Sequence, residues 1–393
     1  MKLRTIRAQN FRGFADTTLT LDPALTILVG VNGAGKTSIL DAIVIGVGAF
    51  FLGTPGISAP GFDPEDARWR FFDYDGQIRR EQQFPVSVTC VGEVTDRERK
   101  TRPIEWTRSL AHAKGKTDRA NTSELRLIAE GLHEGATRGE RVDLPILARY
   151  TTGRLFWQKK QKAVETIPPE SRMAGYIDCL DPAASEKKFL QWFKTRELQS
   201  LQHGARLPEL EAVRSVITRC LERCERVYFD VGTDELRIVF DDRREISADQ
   251  LSDGYRALLA LVSDLAMRCE QLNPHLGELA PRTTEGIVLI DEVELHLHPA
   301  WQRRVLKVLM DAFPCCQFVT TTHSPQVLSD RPGGAVVILK DFQPVAWERP
   351  TAGRDSNSLL REVFGVSERP QAQLATIQKI RALIDDDQLD EAR

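Results

Sequence analysis

Four short stretches of this chain carry the residue types and spacings that do chemistry. The first is Gly30-Val31-Asn32-Gly33-Ala34-Gly35-Lys36-Thr37-Ser38, which directly follows the apolar run "ALTILV". A Gly-x-x-x-x-Gly-Lys-Thr spacing supplies consecutive backbone N–H donors around phosphate oxygens, with glycines where a Cβ would block approach. Gly30, Asn32, Gly33, Ala34, Gly35 and Ser38 form the cradle, Lys36 reaches the β- and γ-phosphates of ATP, and the Thr37 hydroxyl is placed to ligate Mg²⁺. The second stretch is "GIVLIDEVELHLHP", in which an apolar strand ends on Asp291 and Glu292. Open α/β sheets place ligands at the C-terminal ends of their strands, so Asp291 would hold Mg²⁺ through water and Glu292 would polarise an attacking water. The paired acid tells against a guanine-nucleotide switch, where hydrolysis leans on a glutamine.

The third stretch, "LSDGYRALLAL", puts Ser252 and Gly254 at the opening of a helix, where a hydroxyl, bare N–H groups and the helix dipole favour an anion. An ordinary helix cap would read the same way. The fourth, "TTTHSP", ends a strand on His323, placed to hydrogen-bond a γ-phosphate; a core histidine is the alternative.

These groups need a scaffold, and the pattern around them predicts one. Two alternating strands, "LRTIRAQNF" and "TLTLDP", precede the buried strand that feeds the phosphate loop, and "TSILDAIVIGVGAFFL" has helical spacing from the loop onward. Gly and Pro cluster through "GTPGISAPGFDP", an excursion from the core. Antiparallel strands are expected in 84 to 110 and a buried strand in "LPILARY". Helix is expected from about 185 to 226, too short for an extended coiled-coil arm. A strand hairpin follows at "VYFDVGTDELRIVFDD". The organisation read from this is 1–150, a first ATPase lobe with an antiparallel β subdomain; 151–230, a helical insertion; 231–345, a second lobe; and 346–393, an appendage.

Composition narrows the setting. The 393 residues bury a substantial core, no apolar run long enough to span a bilayer is read, and the first residues lack a secretory pattern, so a cytoplasmic protein without membrane contact is expected. Seven cysteines without a CxxC pair read as reduced thiols, with Cys220 and Cys224 as apolar residues on one helix face. Zinc at His296 and His298 is disfavoured. The net charge of −3 gives no global pull on nucleic acid. Residues 97 to 119 hold eight Lys or Arg against three carboxylates, and "RLFWQKKQK" adds Arg154, Lys159, Lys160 and Lys162 beside Phe156 and Trp157. Both are candidate contacts for DNA or RNA, although a solvated face is the commoner meaning of such runs.

The order Lys36, Ser252, Asp291-Glu292, His323 resembles that of ABC-type ATPase heads, with Walker A, signature, Walker B and switch histidine. The resemblance implies an α/β fold with a mixed sheet, an antiparallel β subdomain and a helical insertion. It also implies that the signature serine completes the site of a second copy, hence a homodimer or higher oligomer. With "IRAQNFRGF", "IDEVELHLHP" and "TTHSPQVLS", the chain is similar to the SMC, RecF and OLD branch, in which the arginine matching Arg12 lies near the nucleotide. "GYIDCLDPAASEKKFLQWF", "QLSDGYRALLALVSDLAMRC" and "GRDSNSLLREVFGV" look like the ATPases of anti-phage systems of the Septu PtuA type and their retron-associated relatives. That narrower resemblance implies an ATPase that controls a separately encoded effector such as an HNH nuclease, with retron msDNA as a candidate contact; a RecF-like repair ATPase binding DNA is the alternative. The signature departs from the transporter consensus at Asp253 and Tyr255, which implies slow hydrolysis. An intrinsic nuclease is not expected.

Overall fold

In the computed structural model, residues 1–155, 171–181, 186–367, 369 and 371–385 are described. Strands β1 (Lys2–Phe11) and β2 (Phe14–Thr20) form a hairpin turned at Arg12-Gly13, and β3 (Leu25–Val29) runs into the phosphate loop and helix α1 (Lys36–Val47). A second hairpin, β4 (Trp69–Tyr74) and β5 (Gln77–Gln82), stands apart as a two-stranded ribbon. Strands β6 (Val86–Thr95) and β7 (Thr101–Leu110) join β1 in a four-stranded antiparallel sheet of order β2-β1-β6-β7. Helix α2 (Ser123–Thr137) and strand β8 (Ile146–Tyr150) follow.

Next come α3 (Glu186–His203) and α4 (Pro208–Cys220), then a small sheet of β9 (Cys224–Asp230), β10 (Glu235–Phe240) and β11 (Glu245–Ser247). Helices α5 (Asp253–Leu272) and α6 (Ala280–Thr283) lead to β12 (Gly286–Ile290), α7 (Pro299–Ala312), β13 (Cys316–Thr322), α8 (Pro325–Ser329), β14 (Ala335–Lys340) and β15 (Gln343–Trp347). Helices α9 (Ser356–Glu362) and α10 (Gln371–Asp385) end the described chain.

The central sheet has the order β15-β14-β3-β13-β12-β8; all neighbours are parallel except β15 against β14. Every residue of β3, β12 and β13 is buried, because layers cover both faces, and this is why those strands read as unbroken apolar runs. Helix α1 lies between this sheet and the antiparallel one. The Trp106 indole N–H of β7 donates to the Gly46 carbonyl at 2.8 Å, and a Cβ on Gly46 would fall 2.4 Å from the Cys90 Sγ.

Three expectations change. Helix α4 stops at Cys220: the chain turns through Arg223, whose φ is +61°, and Cys224 opens β9, so the two thiols do not share a helix face. Lys36–Gly53, α1 and its 3-10 continuation, is long and apolar enough to cross a membrane by length and composition, yet 78% of it is buried inside the fold. Helix α2, with Leu125, Ala129 and Leu132 buried on one face, and the β4–β5 ribbon lie where no regular structure was expected.

Candidate nucleotide site

The parallel registers bring the chemical groups to one edge of the sheet. Val29 pairs with Thr322, and Ile290 with Thr320, so the residues that follow each strand meet. Arg12, Asn32, Gly33, Gly35, Lys36, Thr37, Ser38, Asp291, Glu292 and His323 line one cavity of about 610 Å³; Gly13 and Phe342 complete the wall. Gly30 closes β3 just beneath it, and Ala34 is buried under the loop.

Lys36 begins α1 and is buried, its Nζ donating to the carbonyls of Gly30 at 2.8 Å and Val31 at 3.1 Å. Burial lowers its pKa, opposed by the charges of Asp291, Glu292 and Glu294. An ammonium held this way has donor capacity aimed at an anion in the cavity. Gly35 takes φ +97°, and a Cβ there would stand 2.7 Å from Phe14 Cζ and 2.9 Å from Phe342 Cδ1. Only glycine suits that conformation and that gap.

The Thr37 hydroxyl donates to Asp291 Oδ2 at 3.0 Å, and Thr321 Oγ1 donates to Asp291 Oδ1 at 2.5 Å. These hard oxygen donors suit Mg²⁺, which takes one or two protein oxygens and completes its shell with phosphate and water. Among the described residues no group of three or more His, Cys, Asp or Glu is placed to hold a metal ion. Glu292 follows in left-handed backbone, φ +47°, its N–H held by Thr321 Oγ1 at 2.7 Å. Strained backbone at a non-glycine residue is a frequent mark of a functional position.

Sequence reasoning missed Glu294 and Phe342. The Glu294 carboxylate accepts from the His323 backbone N–H at 2.6 Å and from Thr322 Oγ1 at 2.8 Å, clamping His323 to the acidic turn. A third acid two residues past the pair was the available signal. Phe342, in the β14–β15 turn, lies against Gly13 and packs edge-on to Phe14 at 5.3 Å. No local pattern foretells that contact. Arg12, with φ +51°, donates through Nε to Asp66 Oδ1 at 2.9 Å and also bonds Asp41, which Arg149 shares.

Ser252 and Gly254 are elsewhere. They line a separate cavity of about 440 Å³ with Tyr255, His296, His298 and Trp301, and it shares no lining residue with the first. Ser252 is the N-cap of α5, but its side chain accepts none of the helix amides. A Cβ on Gly254 would fall 2.6 Å from the His296 carbonyl oxygen, so the small residue lets the two segments touch.

Of the basic candidates, four of the eight Lys or Arg in 97 to 119 are paired with carboxylates within the fold. Arg97 pairs with Glu140 and Glu134, Arg99 with Asp143, Lys100 with Glu98 and Arg102 with Asp96. Arg108 is buried against the Pro60 and Ile45 carbonyls, and burial pushes its pKa down to about 10. Lys159, Lys160 and Lys162, with Phe156 and Trp157, lie outside the described residues, and of Arg154 only the backbone is described.

A phosphate loop entering a mostly parallel sheet, joined to an antiparallel sheet, defines a P-loop ATPase head. The chain belongs to the family described as "AAA domain, putative AbiEii toxin, Type IV TA system", whose model matches residues 93–329; the "AAA ATPase domain" model matches residues 1–48. It is 26% identical to "Retron Ec83 probable ATPase" of Escherichia coli, over 94% of this chain and 77% of that one. It is also 26% identical to "Retron Vc95 probable ATPase" of Vibrio cholerae serotype O1 biovar El Tor, over 98% of this chain and 84% of that one. The crystal structure of "the SmcHead bound to the C-winged helix domain of ScpA" superposes with a TM-score of 0.51 at 17% identity, covering 88% of this chain and 98% of that one. That likeness is one of fold, the ABC-type head read from the motif order.

Proposed function

We propose that this chain is a cytoplasmic, Mg²⁺-dependent ATPase whose active site is completed by a second copy of itself, and that opening and closing of the pair governs a separately encoded effector, such as a nuclease, in a bacterial anti-phage system. The observation that carries the shared site is the separation of Ser252 and Gly254 from the cavity that holds Lys36. An uncapped helix N-terminus on an exposed surface is complementary to the phosphates bound across an interface. The defence setting rests on the similarity to two retron ATPases along most of the chain.

Within one site, the loop amides and Lys36 hold the phosphates. Asp291 and Thr37 would hold Mg²⁺, which offsets charge on the β- and γ-phosphates. Glu292 accepts a proton from the attacking water, and His323, fixed by Glu294, donates to the γ-phosphate. Lys36→Ala and Ser252→Arg chains, each inactive alone, test the sharing directly. Mixed in equal amounts, they should regain a fraction of wild-type turnover, because one site in a mixed pair keeps an intact loop and an intact serine. Turnover in Ser252→Arg alone, or none in the mixture while mixed pairs form, would overturn the shared site.

A further inference from the structure

The β4–β5 ribbon is a two-stranded sheet that pairs with none of the other sheets. A two-stranded hairpin is at best marginal on its own, and this one leaves apolar side chains bare on both faces. Trp69, Phe71, Tyr74 and Ile78 are 42%, 66%, 60% and 72% exposed. The register puts Trp69, Phe71 and Asp73 opposite Gln82, Arg80 and Ile78 on one face, and Arg70, Phe72 and Tyr74 opposite Glu81, Arg79 and Gln77 on the other. Each face thus carries both rings and guanidinium groups, one guanidinium on the first face and two on the second.

The charges set this ribbon apart from the basic run at 97–102. Arg97, Arg99, Lys100 and Arg102 have carboxylate partners, whereas Arg68, Arg70, Arg79 and Arg80 have none in ion-pair range among the described residues. Instead, Arg70 lies over the Phe72 ring at 5.1 Å and Arg80 over Trp69 at 4.7 Å. The ribbon's own acids, Asp73, Asp75 and Glu81, make no ion pair with these arginines: Asp73 Oδ1 accepts from the Gly76 N–H at 2.8 Å, Asp75 sits in the turn, and Glu81 stands across the ladder from Arg70 without an ion pair between them. Exposed rings interleaved with unpaired guanidinium groups match a strand whose bases are free to stack and whose phosphates need cations. A duplex keeps its base faces covered, so it can use only the charges.

We infer that the β4–β5 ribbon is a binding wing for single-stranded nucleic acid. The inference goes beyond the ATPase reading and stands without it, since oligonucleotide binding is measured with no ATP present. The ribbon is anchored firmly enough to bear a load. The Arg68 N–H donates to the Asn10 carbonyl and the Gln83 N–H to the Arg68 carbonyl, both at 2.8 Å, and Phe11 bridges Ala67.

Fluorescence anisotropy of the full chain with labelled DNA and RNA strands of about 20 nucleotides, spanning one or more binding sites, and with a matching duplex, tests this. Single strands should bind more tightly than the duplex. Trp69→Ala with Phe71→Ala should weaken them about tenfold or more through lost stacking. Joint Arg70→Glu, Arg79→Glu and Arg80→Glu should lower the log–log salt slope by about 2. Melting temperature and ATP turnover should not move, because these side chains are exposed and outside the cavity. Affinity within twofold of wild type in both variants, no binding by the wild type, or loss only in a Lys114→Glu, Lys116→Glu, Arg119→Glu variant would each overturn the inference. So would a change in subunit number, read by light scattering, in place of a change in oligonucleotide affinity, which would mark the ribbon as a protein surface.

Discussion

The nucleotide cavity and the surface around Ser252 are both built at helix N-termini, but they are finished differently. In the cavity and just behind it the polar groups are already engaged: Lys36 with its own loop, Asp291 with Thr37 and Thr321, and Glu294, outside the lining, with the backbone of His323. Around Ser252 the cap hydroxyl leaves the amides of α5 unclaimed, and the walls are side chains such as Tyr255, His298 and Trp301. A set of groups that must keep its geometry while empty needs internal partners. One that, as proposed for Ser252, meets its ligand only when another molecule brings it does not.

Substitutions on the two surfaces should therefore separate binding from turnover. The largest effects are expected in the cavity. Glu292→Gln should cut turnover by about 10²- to 10⁴-fold while ATP stays bound, and light scattering should then find pairs accumulating. Lys36→Ala should weaken ATP itself, by about 100-fold in a direct binding titration. Ser252→Arg should keep ATP affinity within about threefold of wild type and lose turnover by about 100-fold, the scale of a lost phosphate donor. A large drop in ATP affinity there would erase the contrast between the surfaces. Glu294→Ala should lower turnover by about 10- to 100-fold through a misplaced His323, with Glu294→Gln restoring part of it, because an amide oxygen can still accept one of the two bonds.

The smallest effect lies on neither surface and shows what a purely structural group does. Glu270 on α5 is buried near Glu209, and burial first, then that carboxylate, raises its pKa to about 7, with Arg196 opposing. The folded state holds the proton more tightly than the unfolded chain. Its stabilisation is full below the ordinary glutamate pKa and is lost as pH rises through 7. Glu270→Gln should leave the melting temperature unchanged near about pH 5 and raise it near about pH 8, by no more than about 3 kcal/mol of stability, with ATP turnover at either pH following wild type.

How much of this was legible depended on how local each cause is. The phosphate loop and the strand before Asp291 could be read because phosphate chemistry demands fixed residue types on a fixed backbone path, and buried parallel strands leave long apolar runs. The separation of Ser252 from Lys36 was implied by the resemblance to ABC-type heads. The ribbon was not legible, since its aromatic residues alternate with charges and face solvent, where strand patterning gives no inside and outside. Cys224 was misplaced because nothing in "LERCE" marks a stop; a left-handed Arg223 makes the turn. The hold of Glu294 on His323, and of Phe342 on Gly13, joins positions far apart in sequence.

Asp66, Arg12, Asp41 and Arg149 form a row of alternating charges from the foot of the ribbon, past the first turn, to α1 and β8. Only Arg12 of the four lines the cavity. A phosphate that draws on its guanidinium competes with two carboxylates for one cation, and one of those carboxylates belongs to the segment that anchors the ribbon.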